Sequence, residues 1–347
     1  MKKTVKSALS LITAIVIFVS SLLMFSSCKI PIRVNQNGEY GLFGTFISLI
    51  DHSGDGVKAF DRRFETVIEM ATEYDRLFDI YNEYEGINNL ATVNRLAADG
   101  PVKVDGRIID LIMFSIEIYN LTGGSTDITM GPVLKIWHDH REAGNKNPAA
   151  ATLPDMAELA AAAELVGMDG LIINEEESTV YFAKPGMSLD VGAVAKGYTT
   201  ERLAEWLAAD GADGYVIDFG GNLRAIGYKA DGNSWSSGVR NPNLDDYENP
   251  YIYYFKLADG SAVTSGNYEN YYTVGGKSYN HIINKDTLMP AEYFTSVTVI
   301  TKNSGLADGL STALFNMSYD DGRALVDSLE GGRVIWLTAD GELILSE

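Results

Sequence analysis

The chain has 347 residues, 46% hydrophobic and 21% charged, enough for one large domain or two intimate ones with a sizeable core. Its formal net charge is −20 and no stretch is dense in lysine or arginine, which argues against binding along a nucleic-acid backbone. Cys28 is the only cysteine, so disulfides within the chain are excluded.

Lys2, Lys3 and Lys6 precede an uncharged run from Ala8 to Phe25, and Phe25-Ser26-Ser27-Cys28 closes it. A positive start, an apolar stretch and small residues before a lone cysteine read as a bacterial lipoprotein signal over residues 1–27, with Cys28 as the lipidated first residue of the mature chain. Phe25 stands where leucine is usual. The alternative is an uncut membrane anchor, since about 18 apolar residues just suffice to span. Either way the rest of the chain is expected outside the cytoplasmic membrane and tied to it. Residues 28–40 read as a polar tether, and 41–347 as one domain.

Gly41 to Ile50 predicts a first strand, and Val57 to Tyr81, with apolar residues at three- and four-residue steps, predicts an amphipathic helix. Asn82 to Gly100 reads as loop with a short helix. Ile108 to Leu121 reads as a second helix, stopped by Gly123-Gly124. Asp139 to Thr152 reads as an exposed loop, and Pro154-Asp155 opens an alanine-rich helix ending near Gly167. Leu171–Ile173, Val180–Phe182 and Met187–Leu189 predict short strands. Lys196 to Ala209 predicts a helix, and Tyr215–Phe219 and Leu223–Gly227 predict strands around Gly220-Gly221. Further strands are expected at Tyr251–Leu257, Ala262–Thr264, Tyr271–Val274 and Phe294–Thr301. Ser304 to Met317 predicts a helix with Ser304 as N-cap. A last helix and strands at Arg333–Leu337 and Leu343–Leu345 follow. Strands and helices interleave without regular βαβ spacing, so the fold class is α+β.

Five segments carry residue types suited to chemistry. Leu189-Asp190-Val191-Gly192-Ala193-Val194-Ala195-Lys196-Gly197 places a carboxylate, then small residues, then a lysine at a helix start. Small residues admit a ligand close to the backbone, and a helix N-terminus favours an anion. A carboxylate beside an anion calls for a cation, so the segment suggests a phosphate-containing ligand and a metal, or else a plain strand–turn–helix corner. Two unit charges 4 Å apart interact by roughly 4 kcal/mol at an effective dielectric near 20, which a divalent cation offsets. Thr122 to Thr129, with Gly123-Gly124 and Ser125-Thr126-Asp127, reads as a ribityl or phosphate cradle, or as a helix C-cap with an Asx or hydroxyl turn. Asp218-Phe219-Gly220-Gly221-Asn222 reads as a hairpin turn or a point of close backbone approach. His281, one of four histidines, reads as a general base, a ligand-orienting donor or a structural histidine. Asp308 and Thr312, four apart on one helix, offer hard oxygens for Mg²⁺, or hydrogen-bond to each other.

Taken in order, Phe43-Gly44-Thr45, Ile80-Tyr81, Thr122 to Thr129, Asp190 to Tyr198, Gly220-Gly221-Asn222, Thr264-Ser265-Gly266-Asn267-Tyr268, His281 to Pro290 and Leu306 to Leu314 resemble the FAD:protein FMN transferase (ApbE-type) family. The resemblance spans about residues 41 to 320. It implies one compact α+β unit of mixed or antiparallel sheets with packed helices, layered like a T-fold. It implies Mg²⁺-dependent transfer of FMN from FAD to a serine or threonine hydroxyl of an acceptor flavoprotein, with release of AMP. Carried over by residue, Asp308, Thr312 and the Ala193 carbonyl are the implied metal ligands. Phe43, Tyr81, Ser125, Thr126, Asp127, Asp190, Lys196 and Ile283 are the implied FAD contacts, and His281 is the candidate base.

The implied acceptor is a membrane redox-complex subunit or an extracytoplasmic FMN-binding protein. This chain contains no Gly-Ala-Thr, so it does not resemble its own substrate. Three departures stand out: Asn284 replaces an aspartate, Leu288 a glycine, and Gly309 an alanine. The alternatives are an FAD pyrophosphatase on the same site, with water in place of the hydroxyl, and a flavin-binding lipoprotein without chemistry.

Overall fold

The computed structural model describes residues 34–329 and 331–346. The expected signal peptide and Cys28 lie outside the described residues. From its first described residues the chain departs from expectation, because Asn35–Tyr40, read as tether, is a strand (β1). It pairs antiparallel with β2 (Phe46–Asp51) in continuous register from Asn35↔Asp51 to Tyr40↔Phe46. Such an edge strand is held by backbone bonds and needs little apolar sequence. Asn35 adds a side-chain bond, donating from Nδ2 to buried Asp51 Oδ2 at 2.8 Å. The strand expected from Gly41 begins only at Phe46, since Leu42–Gly44 is a 3₁₀ turn with Phe43 at φ 49°.

Helix α1 (Val57–Phe78) buries Phe60, Val67, Ala71, Tyr74 and Leu77 on one face, as its three- and four-residue steps dictate. There follow α2 (Leu90–Leu96), β3 (Val102–Lys103), α3 (Gly106–Leu121) and α4 (Gly131–Lys146). Helix α4 overturns the loop expected from Asp139. Its apolar anchors, Val133 and Trp137, lie in its first half, and the exposed, polar second half imitates a loop. Next come α5 (Met156–Ala163), β4 (Leu171–Asn174) and β5 (Thr179–Phe182). Met187–Leu189 forms no strand: the Asn94 side-chain amide takes the Leu189 N–H at 2.7 Å and its carbonyl at 2.9 Å, in place of a neighbouring strand.

The second half runs α6 (Ala195–Ala209), β6 (Tyr215–Phe219), β7 (Asn222–Ile226), β8 (Trp235–Arg240), β9 (Tyr251–Leu257), β10 (Gly260–Gly266), β11 (Tyr271–Val274), β12 (Lys277–Asn280) and β13 (Phe294–Thr301). It ends with α7 (Ser304–Phe315), α8 (Tyr319–Asp327), β14 (Arg333–Thr338) and β15 (Leu343–Leu345). Strands β8 and β12 carry serines, glycine and lysine, and the sequence reading passed over them. The N-cap of α7 is Asn303, whose side chain accepts from Leu306 N at 2.9 Å, rather than Ser304.

Eight strands form one sheet in the order β1-β2-β6-β7-β10-β13-β14-β15, every pair antiparallel. Alternation along the strands divides its faces. Ile47, Leu49, Tyr215, Ile217 and Phe219 pack on α1 and α6, and Val297, Val299 and Trp336 pack on α7. The opposite residues Val216, Ala225, Ala262, Ile300 and Ile335 meet Trp235, Val239, Phe255 and Leu257 of the β8–β9 ribbon. A second helical core gathers Ile108, Leu111 and Ile112 of α3 around Leu189, Val191, Val194 and Tyr198. The expected α+β class with antiparallel sheets and packed helices holds, and residues 34–347 form one compact unit.

Candidate functional site

Helices α6 and α7 meet at Gly197. A Cβ there would stand 2.4 Å from Asp308 Cβ and 2.5 Å from the Ser304 carbonyl, so only glycine allows this approach. The approach lets the Gly197 N–H donate to Asp308 Oδ2 at 2.7 Å. Glu201, one turn on, accepts the Ser304 N–H at 2.6 Å and pairs with Arg224 at 3.1 Å, which fixes the start of α7. Asp308 is thus a buried carboxylate with one hydrogen bond of normal geometry, and among the described residues it has no ion pair. Burial pushes its pKa up, while the Lys196 charge, the Gly197 amide and the Asn222 side chain pull the other way. The Asn222 Nδ2 beside it is buried without a hydrogen-bond partner of its own. Thr312 does not bond to Asp308, which removes the plain Asp–Thr pair. Its hydroxyl lies 3.4 Å from Ser265 Oγ.

These groups, with the Ala193 carbonyl at the turn into α6, form a set of hard oxygens. Among the described residues no three histidine, cysteine, aspartate or glutamate side chains cluster closely enough to hold a metal. A cation here would need water and ligand phosphate to complete its shell, which is how Mg²⁺ is usually held. A buried carboxylate that makes no direct ion pair is costly, so the donor set fits such an ion.

Asp190 leads into the same turn. Its Oδ1 accepts from Gly192 N at 2.9 Å, and its backbone N–H donates to Ile128 O at 2.8 Å. Burial raises its pKa, against that hydrogen bond and the charges of Arg141 and Lys196. In the glycine-rich loop, Gly123 and Gly124 take φ 58° and 82°, and Thr126 N donates to Thr122 Oγ1 at 3.3 Å. Thr126 Oγ1 reaches across to the Gly309 carbonyl at 2.8 Å, tying the loop to α7. Asp127 Oδ1 accepts from Thr129 N and Oγ1 at 2.7 and 2.6 Å, and burial raises its pKa. The segment thus holds the expected helix C-cap at Thr122 and an Asx turn at Asp127, and it also lines the cleft.

The Phe43 N–H is held by Asp75 Oδ1 at 2.7 Å, and its ring meets Phe219 edge-on at 5.3 Å. Tyr81 stacks on His138, with ring centroids 5.0 Å apart and planes at 29°. His281 Nδ1 lies 3.1 Å from the Asn270 carbonyl. Burial, then the charges of Arg141 and Lys196, bring its pKa down to about 4, so the imidazole is neutral near pH 7. Ile283 is buried beside Trp137 and Tyr272.

The departing residues have local explanations. Asn284 Oδ1 accepts from Asp286 N and Thr287 N, both at 3.0 Å, while its Nδ2 donates to the Asn316 carbonyl at 3.0 Å. An aspartate could not make that last bond. Leu288 keeps a left-handed backbone, φ 58°, and Trp137 Nε1 donates to its carbonyl at 2.9 Å. Gly309 has no room for a methyl, because a Cβ would stand 2.7 Å from Ile118 Cγ2.

All twelve candidates (Phe43, Tyr81, Ser125, Thr126, Asp127, Asp190, Ala193, Lys196, His281, Ile283, Asp308 and Thr312) line one cleft of about 1350 Å³. The sequence reading left His138, Arg141, Ser265 and Asn222 without a role, and all but His138 belong to motifs or spans it did quote. His138 and Arg141 both sit on α4. Pro132 in the first turn, with Val133 and Trp137 four apart, was the signal that this segment is helical.

Comparison with known proteins places the chain in a family. The model of the ApbE family matches residues 43–336. The FAD:protein FMN transferase of Vibrio cholerae is 30% identical over 264 residues, 75% of this chain and 76% of that protein. A Klebsiella pneumoniae protein of the same name is 28% identical over 283 residues, 78% of this chain and 84% of that one. Among solved structures, the ApbE protein of Thermotoga maritima superposes with a TM-score of 0.78 at 28% identity, covering 91% of this chain and 97% of that one. The flavin transferase ApbE of Vibrio cholerae shares the fold, with a TM-score of 0.73 at 24% identity, covering 91% of this chain and 98% of that one.

Proposed function

The chain belongs to the ApbE family, and on that premise we propose that it transfers FMN from FAD to a serine or threonine hydroxyl of an acceptor protein, releasing AMP. The observation that carries this reading is the convergence of twelve residues, from segments spread between Phe43 and Thr312, on one cleft.

The acceptor oxygen attacks the flavin-side phosphorus, a new P–O bond forms, the bridging P–O bond of the diphosphate breaks, and AMP leaves with the bonding pair. His281, kept neutral by burial and by two neighbouring cations, takes the hydroxyl proton. Lys196 faces the same space and offsets phosphate charge. Asp308, Thr312 and the Ala193 carbonyl would hold Mg²⁺, which when bound neutralises the diphosphate and the departing AMP. Beyond these residues the cleft continues past Trp235, Gly238, Tyr251 and Tyr254 of the β8–β9 ribbon, where we place the acceptor chain. The lipoprotein-like start supports an enzyme tethered outside the cytoplasmic membrane through Cys28, with a membrane-associated flavoprotein as acceptor. No helix among the described residues is long and apolar enough to cross a membrane.

The test supplies FAD and Mg²⁺ with and without a domain carrying the acceptor hydroxyl. AMP release with a flavin-sized mass gain on the acceptor is the expected result. AMP and free FMN at equal rates in both tubes would make the protein a pyrophosphatase. Flavin binding with no AMP in either would leave a carrier.

A further inference from the structure

Many arginines of this acidic chain are tied to carboxylates, as Arg63 is to Asp210, Arg107 to Glu73 and Arg224 to Glu201. Arg141 is different. Among the described residues it has no ion pair, and it donates instead to His138 Nδ1 at 3.0 Å. Three positions apart on α4, the two side chains share a face, and both line the cleft. A guanidinium can only donate, so Nδ1 is the accepting nitrogen of His138, and the imidazole holds the guanidinium in one orientation. His138 is itself fixed by its stack on Tyr81, whose hydroxyl lies 3.4 Å from the same nitrogen. Tyr81, His138 and Arg141 thus form a row of ring, ring and cation.

The charge of Arg141 is felt at Asp190, His281 and Tyr81, and that of Lys196 at Asp190, His281 and Asp308. The two cations therefore bear on the space around His281, Arg141 from the ring side and Lys196 from the oxygen-donor side. In a chain of net charge −20, a part-buried, pre-oriented guanidinium that makes no ion pair among the described residues, with Asp190 near enough only to feel its charge, suits an anion that comes and goes.

We propose that Arg141, oriented by His138, binds the diphosphate of the flavin substrate from the ring side of the cleft. His138 is its positioning residue. The inference rests on the flavin-transfer reading and adds to it the group that separates a phosphorylated flavin from a bare one. Riboflavin has the ring and the ribityl chain but no phosphate for Arg141 to hold.

Wild-type protein and the variants Arg141→Gln, Arg141→Lys and His138→Ala are titrated with FAD and with riboflavin, followed by flavin fluorescence without added divalent cation. Arg141→Gln should weaken FAD binding at least about tenfold, the scale of a lost charge-assisted hydrogen bond, and change riboflavin binding less than about twofold. Arg141→Lys should recover part of the loss, and His138→Ala should weaken FAD by less than Arg141→Gln does. Equal weakening of both flavins would reduce Arg141 to a prop for Tyr81 and overturn the proposal. Unchanged FAD affinity would overturn it too, and a raised KM for the acceptor in that case would assign the cation to the acceptor protein. A wild-type protein that binds riboflavin but not FAD, or neither, would bring down the flavin-transfer reading itself, an outcome separable from any behaviour of the variants.

Discussion

The two ends of the cleft are built in different ways. At the oxygen-donor end, α6 and α7 touch backbone to backbone through Gly197, and Asp308, Glu201 and Asn222 are all buried. At the ring end, Tyr81 is 64% exposed and stacks on His138, Arg141 donates to His138, and Trp137 donates to the Leu288 carbonyl of the turn at 284–290. The donor end holds the candidate metal ligands and one departure, Gly309, packed against Ile118, while Leu288 departs at the ring end and Asn284 ties its turn back to Asn316 at the end of α7. A group that must meet a phosphate within tenths of an ångström belongs where backbone contact forbids adjustment. A ring-binding surface tolerates repacking, since stacking is broad in geometry.

Four substitutions sharpen or break that contrast. Asp308→Ala should lower Mg²⁺-dependent AMP release by about a thousandfold, on the scale of losing a fixed electrostatic stabiliser, while metal-free flavin binding stays within a few-fold. Activity near wild type at saturating Mg²⁺ would remove Asp308 from the metal site. His281→Ala should slow transfer about a hundredfold with FAD affinity largely kept, and stopped-flow mixing separates the two. Lost affinity instead would make His281 a ligand contact.

Gly197→Ala should destabilise the fold by about 1–3 kcal/mol in urea unfolding, because its methyl has only Asp308 Cβ and the Ser304 carbonyl to displace. A neutral result would show that the α6–α7 junction can give, and the contrast between the two ends would fail. Asn284→Asp restores the family's residue yet should cost about 1–2 kcal/mol, since it sets a carboxylate against the Asn316 carbonyl.

The smallest effect is a pH dependence. His281 in the folded chain has its pKa pulled to about 4, by burial first and then by Arg141 and Lys196, against 6.5 when unfolded. The unfolded chain therefore binds more protons between those values, and this group costs stability as pH falls through that window. Wild type should lose more stability than His281→Ala between pH 7 and pH 5 in denaturant titrations. Buried Asp190, Asp218 and Asp308, whose pKa values are raised by burial, act in the opposite sense but equally in both proteins. Equal losses would show that His281 is not shielded.

Much of this architecture was legible in the sequence. The three- and four-residue steps of Val57–Phe78 and the stop at Gly123-Gly124 marked two helices, and Gly220-Gly221 after Tyr215–Phe219 and the β-branched and aromatic residues of Phe294–Thr301 marked two central strands. Lys196 became a candidate through the small residues before it, and Asp308 and Thr312 through their four-residue spacing and the family resemblance. What escaped were elements whose cause is tertiary. Strand β1 is polar and exists by pairing with β2. Met187–Leu189 looks like a strand but bonds to Asn94. The second half of α4, carrying Arg141, reads as loop because its anchors lie upstream. The function of Arg141 is legible only once α4 is seen to lay it beside Asp190 and His281.

The most direct measurement of the central claim follows covalent flavin on an acceptor domain, by in-gel fluorescence, as free Mg²⁺ is raised from chelated to millimolar levels in the presence of FAD. The account predicts acceptor labelling that rises with Mg²⁺, with one AMP released per flavin attached, and that is lost in Asp308→Ala. Labelling indifferent to Mg²⁺ and to Asp308, or AMP released with the acceptor left unlabelled, would contradict it.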